Sequence, residues 1–270
     1  MPLFSIITAC LNSAKTIGET IESLQNQDIS PDLYEHIFVD GASQDDTLNI
    51  IRQKARGNIT IISEKDNGLY EAFNKGIKLA KGDFIYFLNS SDTLNSNDVL
   101  SFVKTEIEKQ PEAELIYGKV AYIRDNGTMR YLIGKQMPRK NYWNPMRCIN
   151  HQGLFTRKSL FENIGLFKFY LKGGIADRVW LEDYFHKEPK GVIFIDKVIA
   201  NFRAGGYSEN HAFEAALAHF IYAKNNWGFY EKIRNFIDVP RCFLLFKILK
   251  AHKDTWFRRL YRKLRYGKKY

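Results

Sequence analysis

Through the first hundred residues, short runs of β-branched and aromatic residues alternate with stretches whose apolar positions recur every three or four. The apolar runs predict strands at Phe4–Thr8, His36–Asp40, Ile59–Ser63 and Phe84–Leu88. The periodic stretches between them predict helices at Ala14–Gln27, Asp45–Ala55 and Tyr70–Ala80. In the first helix Ile17, Ile21 and Leu24 share one face, and Ser13 is the candidate N-cap. Apolar strands alternating with helices imply a mostly parallel sheet with helices on both faces. In such α/β sheets ligands bind beyond the carboxyl ends of the strands. That rule directs attention to the segments after Thr8, Asp40, Ser63 and Leu88.

After a helix at about residues 97–109 the pattern changes. Leu115–Ile123 and Met129–Ile133, joined by Asp125-Asn126-Gly127, read as a hairpin. A short strand at Gly153–Thr156, helices at Lys158–Ile164 and Ala176–Phe185, and one or two strands within Val192–Phe202 follow. We expect this half to be antiparallel and to form a second wall of a cleft. His211–Trp227 has helical periodicity, and Pro240 opens a final segment.

Composition changes the picture in one place. The chain of 270 residues carries a formal net charge of +10. Residues 241–270 hold 11 Lys or Arg and one Asp, so the excess belongs to the tail and residues 1–240 are neutral. A nucleic-acid-binding surface would spread its basic residues through the fold, so no nucleic-acid partner is expected. Within the tail, Leu245, Leu249, Trp256, Leu260 and Leu264 fall on one helical face, and Arg258, Arg259, Arg262, Lys263 and Arg265 lie mostly elsewhere. That is the pattern of a helix lying on an anionic membrane surface. A terminal helix packed on the main domain, or an arm for protein or RNA, would show a similar pattern. Cys10, Cys148 and Cys242 are odd in number and have no metal-ligand spacing, as in a reduced, cytoplasmic protein without structural zinc. Nothing approaches about 18 uninterrupted apolar residues, and the apolar N-terminus reads as a buried strand rather than a leader.

Three segments carry candidate chemistry. Asp40 ends a strand and opens Asp40-Gly41-Ala42-Ser43-Gln44-Asp45-Asp46-Thr47, where its carboxylate can accept hydrogen bonds from a base or ribose, or form a turn. Asp45 and Asp46 read as helix caps. Asp66-Asn67-Gly68 and Asn74-Lys75-Gly76 surround a helix start, which favours anionic ligands; Gly76 also reads as a close-packing position. Leu88-Asn89-Ser90-Ser91-Asp92 follows the fourth strand, where one carboxylate can hold Mg²⁺ or Mn²⁺ against a diphosphate or cap the next segment.

Taken together, Ser5–Asn12, Val39–Thr47, Glu64–Gly76 and Gly82–Asp92 resemble the family 2 glycosyltransferases. The resemblance continues through Asn150–Phe155, Ile175–Asp177 and Asn201–Ser208, and it covers about residues 3–210. It implies the GT-A fold and sugar transfer of the kind found in bacterial polysaccharide and lipooligosaccharide synthesis. By position, Thr8, Ala9 and Asn12 would line the nucleotide pocket, largely through backbone; Asp40 would bind the base; Asp66 and Asn74 would shape the nucleotide-sugar site. Asn89-Ser90-Ser91-Asp92 sits where the family has an Asp-x-Asp metal motif. Asn89 and Ser91 replace carboxylates there, which leaves Asp92 as the candidate ligand and predicts weaker affinity for the divalent cation. Asp177 aligns with the catalytic base of inverting transfer, with capping, Glu182 and Asp183 as competing readings. His151 is a candidate for contact with phosphate, acceptor or metal, and Arg203 with Gly205-Gly206 for contact with the diphosphate; a structural His and a plain turn are the alternatives.

The expected organisation is therefore a GT-A catalytic domain over 1–210 and a helical, basic, membrane-associating extension over 211–270. The expected partners are a nucleotide-sugar donor, a glycan or lipid-linked acceptor, and the cytoplasmic face of an anionic membrane. A related sugar nucleotidyltransferase would need a Gly-rich loop ending in a basic residue, which the N-terminus lacks. A non-catalytic membrane adaptor with a degenerate cleft is the alternative that the missing carboxylates leave open.

Overall fold

The computed structural model describes residues 1–124, 128–138, 148–169, 174–187, 189, 191–203, 218 and 222. Four strands, β1 (Phe4–Cys10), β2 (Tyr34–Asp40), β3 (Ile59–Ser63) and β4 (Phe84–Phe87), form a parallel half-sheet in the order β3-β2-β1-β4. Every residue of β1, β2 and β4 is buried, as continuous apolar strands covered on both faces must be. Helices α1 (Ile17–Gln25), α2 (Thr47–Lys54), α3 (Leu69–Leu79) and α4 (Val99–Lys109) make the covers. Ile17, Ile21, Phe38 and Ile51 pack as one apolar cluster, while Phe4, Ile6, Phe84, Tyr86, Leu100, Val103 and Phe155 belong to another. Gly76 lets α3 lie on β1, because a Cβ there would come within 2.5 Å of the Ile7 side chain.

The sheet continues through β8 (Leu154–Arg157), β6 (Leu115–Ile123), β9 (Val192–Arg203) and the two-residue β5 (Thr93–Leu94), with β7 (Met129–Ile133) paired to β6. The expected antiparallel second half is only partly found. β8 pairs antiparallel with β4 and β6, and β7 with β6, but β9 runs parallel to β6. The long excursion between β6 and β9 contains α5 (Ser159–Asn163) and α6 (Ala176–Phe185), enough chain for a crossover connection. Val192–Arg203 is one strand, with register shifts against β6 between Tyr117 and Val120.

The helix starts also differ from expectation. α1 begins at Ile17 because residues 13–16 form a turn in which the Ser13 carbonyl accepts the N–H groups of Thr16 and Ile17. Ser13 is therefore not the N-cap; Thr16 holds that position without a side-chain cap bond. α2 begins at Thr47, with Asp46 in the N-cap position and without a side-chain cap bond; Asp45, one residue earlier, accepts the Thr47 N–H at 3.0 Å.

By contacts the chain divides into two compact units, Met1–Phe169 with Trp180–Ala204, and Tyr170–Val179 with Gly205–Tyr270. In the second, Ile175 and Val179 pack with Tyr222 and Ala218. The turn at 125–127, most of the expected helix at 211–227 and the whole segment from Pro240 onward lie outside the described residues. Among the described residues no helix is long and apolar enough to cross a membrane.

Candidate nucleotide-sugar site

Parallel strands end in loops on one edge of the sheet, and here the loops after β1, β2 and β3 are tied to one another. Asp40, fully buried at the end of β2, accepts the Ser43 N–H at 3.0 Å and the Ser63 hydroxyl at 2.7 Å, and also binds the Ser43 hydroxyl. The same Ser43 hydroxyl accepts the Asn12 N–H at 2.8 Å, and the Asn12 side chain accepts the Gln44 N–H at 2.9 Å. Among the described residues, Asn12 and Ala42 are the non-glycine residues with positive φ, at 50° and 65°, so both loops hold conformations that L residues disfavour. Gly41 has a Cβ position 3.0 Å from an Asp66 carboxylate oxygen, which brings Asp66 beside the β2 loop. The other Asp66 oxygen accepts the Gly68 N–H at 2.8 Å, just before α3.

Several expected contact groups are thus engaged within the fold. Asp40 holds its loop in shape from below. Thr8 is fully buried and donates to the Leu88 carbonyl at 2.7 Å. Ala9 is buried in β1. The Asn74 amide closes two bonds with the backbone of Phe167, at 2.8 and 3.0 Å. It clamps α3 to the segment after α5, where Phe167 enters a group of rings with Tyr70, Phe73, Phe87, Phe161 and Trp180.

Thr8 also meets His36 Nε2 at 2.8 Å. Because the Thr8 hydroxyl hydrogen goes to Leu88, His36 must donate through Nε2–H, a neutral tautomer. Complete burial lowers its pKa from 6.5 to about 3. A histidine with a depressed native pKa contributes stability that is fully present above its unfolded pKa and is lost as pH falls through 6.5 toward 3. Gln retains an N–H donor but does not titrate. Between pH 7 and pH 5 we expect wild type to lose about 2 kcal/mol relative to His36→Gln in urea unfolding. A constant gap between the two proteins would mean that His36 titrates normally.

The loop after β4 carries the buried carboxylate Asp92. One of its oxygens accepts the Arg203 backbone N–H at 3.2 Å and the other accepts the Asn89 side-chain amide at 3.1 Å. Burial raises its pKa from 3.8 to about 6, against the opposing pull of these bonds and of the positive fields of His151 and Arg203. His151, at the start of a short 3-10 turn (His151–Gly153), is thus an electrostatic neighbour of Asp92. Arg203 is engaged through both its side chain and its backbone. Its guanidinium pairs with Glu19 of α1 at 2.5 Å, and its backbone rather than its side chain reaches Asp92. Ser91 is half-buried in the same loop.

The groups around Asp92 fit a divalent cation shared with a phosphate. The Asn89 amide nitrogen points at Asp92, which leaves its oxygen, buried and without a hydrogen-bond partner among the described residues, as a second hard donor. A carboxylate whose ionisation burial opposes is one that a cation would stabilise. Among the described residues there is no group of three His, Cys, Asp or Glu side chains able to hold a metal by themselves, so a ligand would have to complete the shell.

Asp177 lies in the first turn of α6, buried, with one oxygen accepting the Arg178 N–H at 2.7 Å. Of the competing carboxylates, Asp183 is paired with Lys168 at 2.5 Å and Glu182 is buried. Sequence reasoning missed the polar groups of α1, Thr16, Thr20 and Ser23, whose side chains bond the backbone of the β4 loop and its continuation. Their only trace in the sequence is the 4-3 spacing of hydroxyls beside the apolar stripe.

Residues 5–173 match the model for glycosyl transferase family 2. A glycosyltransferase of PGL/p-HBAD biosynthesis from Mycobacterium bovis (strain BCG / Pasteur 1173P2) is 33% identical over 167 residues, which cover 61% of this chain and 62% of that relative. The chain therefore spans less than two thirds of that relative's length. Among solved structures, S. aureus TarS 1-349 in complex with UDP-GlcNAc aligns with TM-score 0.67 and 19% identity, over 90% of this chain and 72% of that one. The mannosyltransferase PcManGT from Pyrobaculum calidifontis, in complex with GDP-Man and Mn2+, aligns with TM-score 0.63 and 17% identity, over 96% and 78%. These likenesses establish the fold as GT-A. With its family model matched over more than half its length, the chain belongs to glycosyl transferase family 2.

Proposed function

We propose that the chain is an inverting glycosyltransferase that moves a sugar from a nucleotide-sugar donor to a hydroxyl of a glycan or lipid-linked acceptor in surface polysaccharide synthesis. The observation that carries this reading is the set of tied loops at the carboxyl ends of β1–β4, with one buried, ionisation-resistant carboxylate, Asp92, in the last of them. The solved neighbours hold UDP-GlcNAc and GDP-Man with Mn2+, in keeping with a nucleotide-sugar donor and a divalent cation.

In this reading the loops of Asn12, Gly41–Ser43 and Asp66 receive the nucleotide, with Asp40 and Thr8 holding them from beneath and Asn74 fixing α3. Asp92 and the Asn89 oxygen would hold Mn²⁺ or Mg²⁺, which supplies charge neutralisation for a diphosphate. Ser91, His151 and Arg203 border that position. Asp177 accepts the proton of the acceptor hydroxyl as its oxygen forms a bond to the anomeric carbon. The bond from that carbon to the diphosphate oxygen breaks on the opposite face, and the nucleoside diphosphate leaves with the electron pair.

Residues 211–270 form a basic extension to the catalytic domain of residues 1–210, and residues 241–270 dock on an anionic membrane, at the cytoplasmic face where a lipid-linked acceptor would lie. Deleting 241–270 should release the protein from vesicles containing anionic lipid in a flotation assay, while turnover of a soluble acceptor survives. Vesicle binding that persists would remove the tail from this role.

The reaction itself is tested with a panel of UDP-, GDP- and dTDP-sugars in Mn²⁺ or Mg²⁺. Release of nucleoside diphosphate supports transfer. Pyrophosphate release from a nucleoside triphosphate and a sugar phosphate would indicate a nucleotidyltransferase instead, and no turnover of either kind would leave a non-catalytic role.

A further inference from the structure

The segment carrying Asp92 is held along its length by one polar edge of α1. Thr16 donates to the Ser90 carbonyl at 2.7 Å and Thr20 to the Asp92 carbonyl at 2.8 Å. Ser23 accepts the Leu94 N–H at 3.2 Å, and Gln27, two residues past the end of α1, donates to the Ser96 carbonyl at 2.8 Å. The four side chains are spaced 4, 3 and 4 apart, one edge of a helix. Their targets, residues 90, 92, 94 and 96, run from the turn closed by Asp92, through β5, to the bend that follows it. α1 thus serves this segment as a strand partner built from side chains.

The opposite edge of the segment is also taken. Thr93 and Leu94 pair with Asn201 and Ala200 of β9, and Arg203, whose backbone reaches Asp92, is itself anchored to Glu19 of α1. Thr20 is fully buried and bonds the Asp92 residue itself, whereas Gln27 anchors the far end, where its side-chain oxygen also accepts the Leu100 N–H at 3.0 Å.

We propose that Thr20, supported by Thr16, is a positioning residue for the donor site: its hydroxyl fixes the backbone of Asp92 so that the carboxylate is presented in one orientation to the cation and diphosphate. Asp92 is a half-turn from the strand end, where the Asp92 N–H bonds the Asn89 carbonyl at 2.9 Å. With the Thr20 bond absent, that turn can rotate and swing the carboxylate, although the apolar packing of Ile17, Ile21 and Leu24 remains. This inference rests on the reading of Asp92 as the cation-binding carboxylate.

The test uses the full chain and calorimetric titration with UDP and with GDP, each with and without Mn²⁺, for wild type, Thr20→Val, Thr20→Ser, Gln27→Leu and Asp92→Asn, with a melting temperature for each. Val keeps the shape of Thr and removes its hydroxyl; Ser keeps the hydroxyl. We expect Thr20→Val to weaken Mn²⁺-dependent nucleotide binding about tenfold and Thr20→Ser to stay within about twofold. Gln27→Leu should lower the melting temperature and leave the affinity within about twofold, which a purely structural role for the whole ladder would not give. In turnover with the donor that the panel identifies, Thr20→Val should raise KM more than it lowers kcat. Thr20→Val binding as wild type, or Gln27→Leu weakening binding as much as Thr20→Val, overturns the proposal while Asp92→Asn still abolishes binding. Wild-type affinity in Asp92→Asn would overturn the underlying reading instead. If Thr20→Val does not fold, Thr20→Ser and Thr20→Ala decide: affinity must follow the hydroxyl, with Ser retaining it and Ala losing it.

Discussion

Asp177→Asn should lower sugar transfer by about 10³-fold and leave donor affinity within about twofold of wild type. Asn matches Asp in size and can still accept the Arg178 N–H that Asp177 holds at 2.7 Å, so the start of α6 keeps its local geometry. What the substitution removes is basicity. An acceptor hydroxyl with no group to take its proton is a poor nucleophile, and the loss falls on kcat rather than on the binding of the donor. Steady-state kinetics, with a separate titration of the nucleotide, make this check. Asp183→Asn serves as the comparison, since Asp183 is already paired with Lys168 and should cost far less. Equal losses at 177 and 183, or a Asp177→Asn enzyme that turns over normally, would remove Asp177 as the base.

Asp92→Asn is expected to do two opposite things. It should weaken Mn²⁺-dependent nucleotide binding at least about 100-fold, since even a change in a partner of a metal ligand costs 10–100-fold. It should also stabilise the ligand-free protein at neutral pH. The native pKa of about 6 lies above the ordinary value of 3.8 because burial penalises the charged form. The folded protein therefore holds its proton where the unfolded chain has lost it, and stability falls as pH rises from 3.8 through 6. Above that window the deficit is about 3 kcal/mol, which an uncharged amide escapes. Asn can also keep its bonds, because the Asn89 side chain can turn over and offer its unpartnered oxygen. Urea unfolding at pH 4 and pH 7.5 should show the variant gaining on wild type as pH rises. A gap that does not change with pH would mean that Asp92 is not strained by its burial.

How much of this was legible beforehand depends on the element. Strands β1–β4 were readable because each is a short run rich in β-branched and aromatic residues, and the helices because their apolar residues return every three or four positions. Two-residue β5 has no period to detect and exists because β9 pairs with it. The parallel pairing of β9 with β6 reflects a crossover through α5 and α6, and no local pattern distinguishes it from a hairpin return. At the site, the loops and Asp92 followed from the rule that ligands bind at strand ends. The partners of those residues did not. Asn74 bonds the backbone of Phe167 and Arg203 pairs with Glu19, partners far away along the chain that leave no local signal. The hydroxyls of α1 carry no signal of their own role, because the chain that covers them arrives from some seventy residues later.

The account stands or falls on the strand-end loops being where the donor binds. Crystals grown with UDP or GDP and Mn²⁺, measured at the manganese absorption edge, test this directly. The account predicts an anomalous peak within about 2.2 Å of an Asp92 oxygen, shared with the diphosphate, and the base over the loops of Asn12, Gly41 and Asp66. A nucleotide held elsewhere on the fold, with no manganese near Asp92, would contradict it.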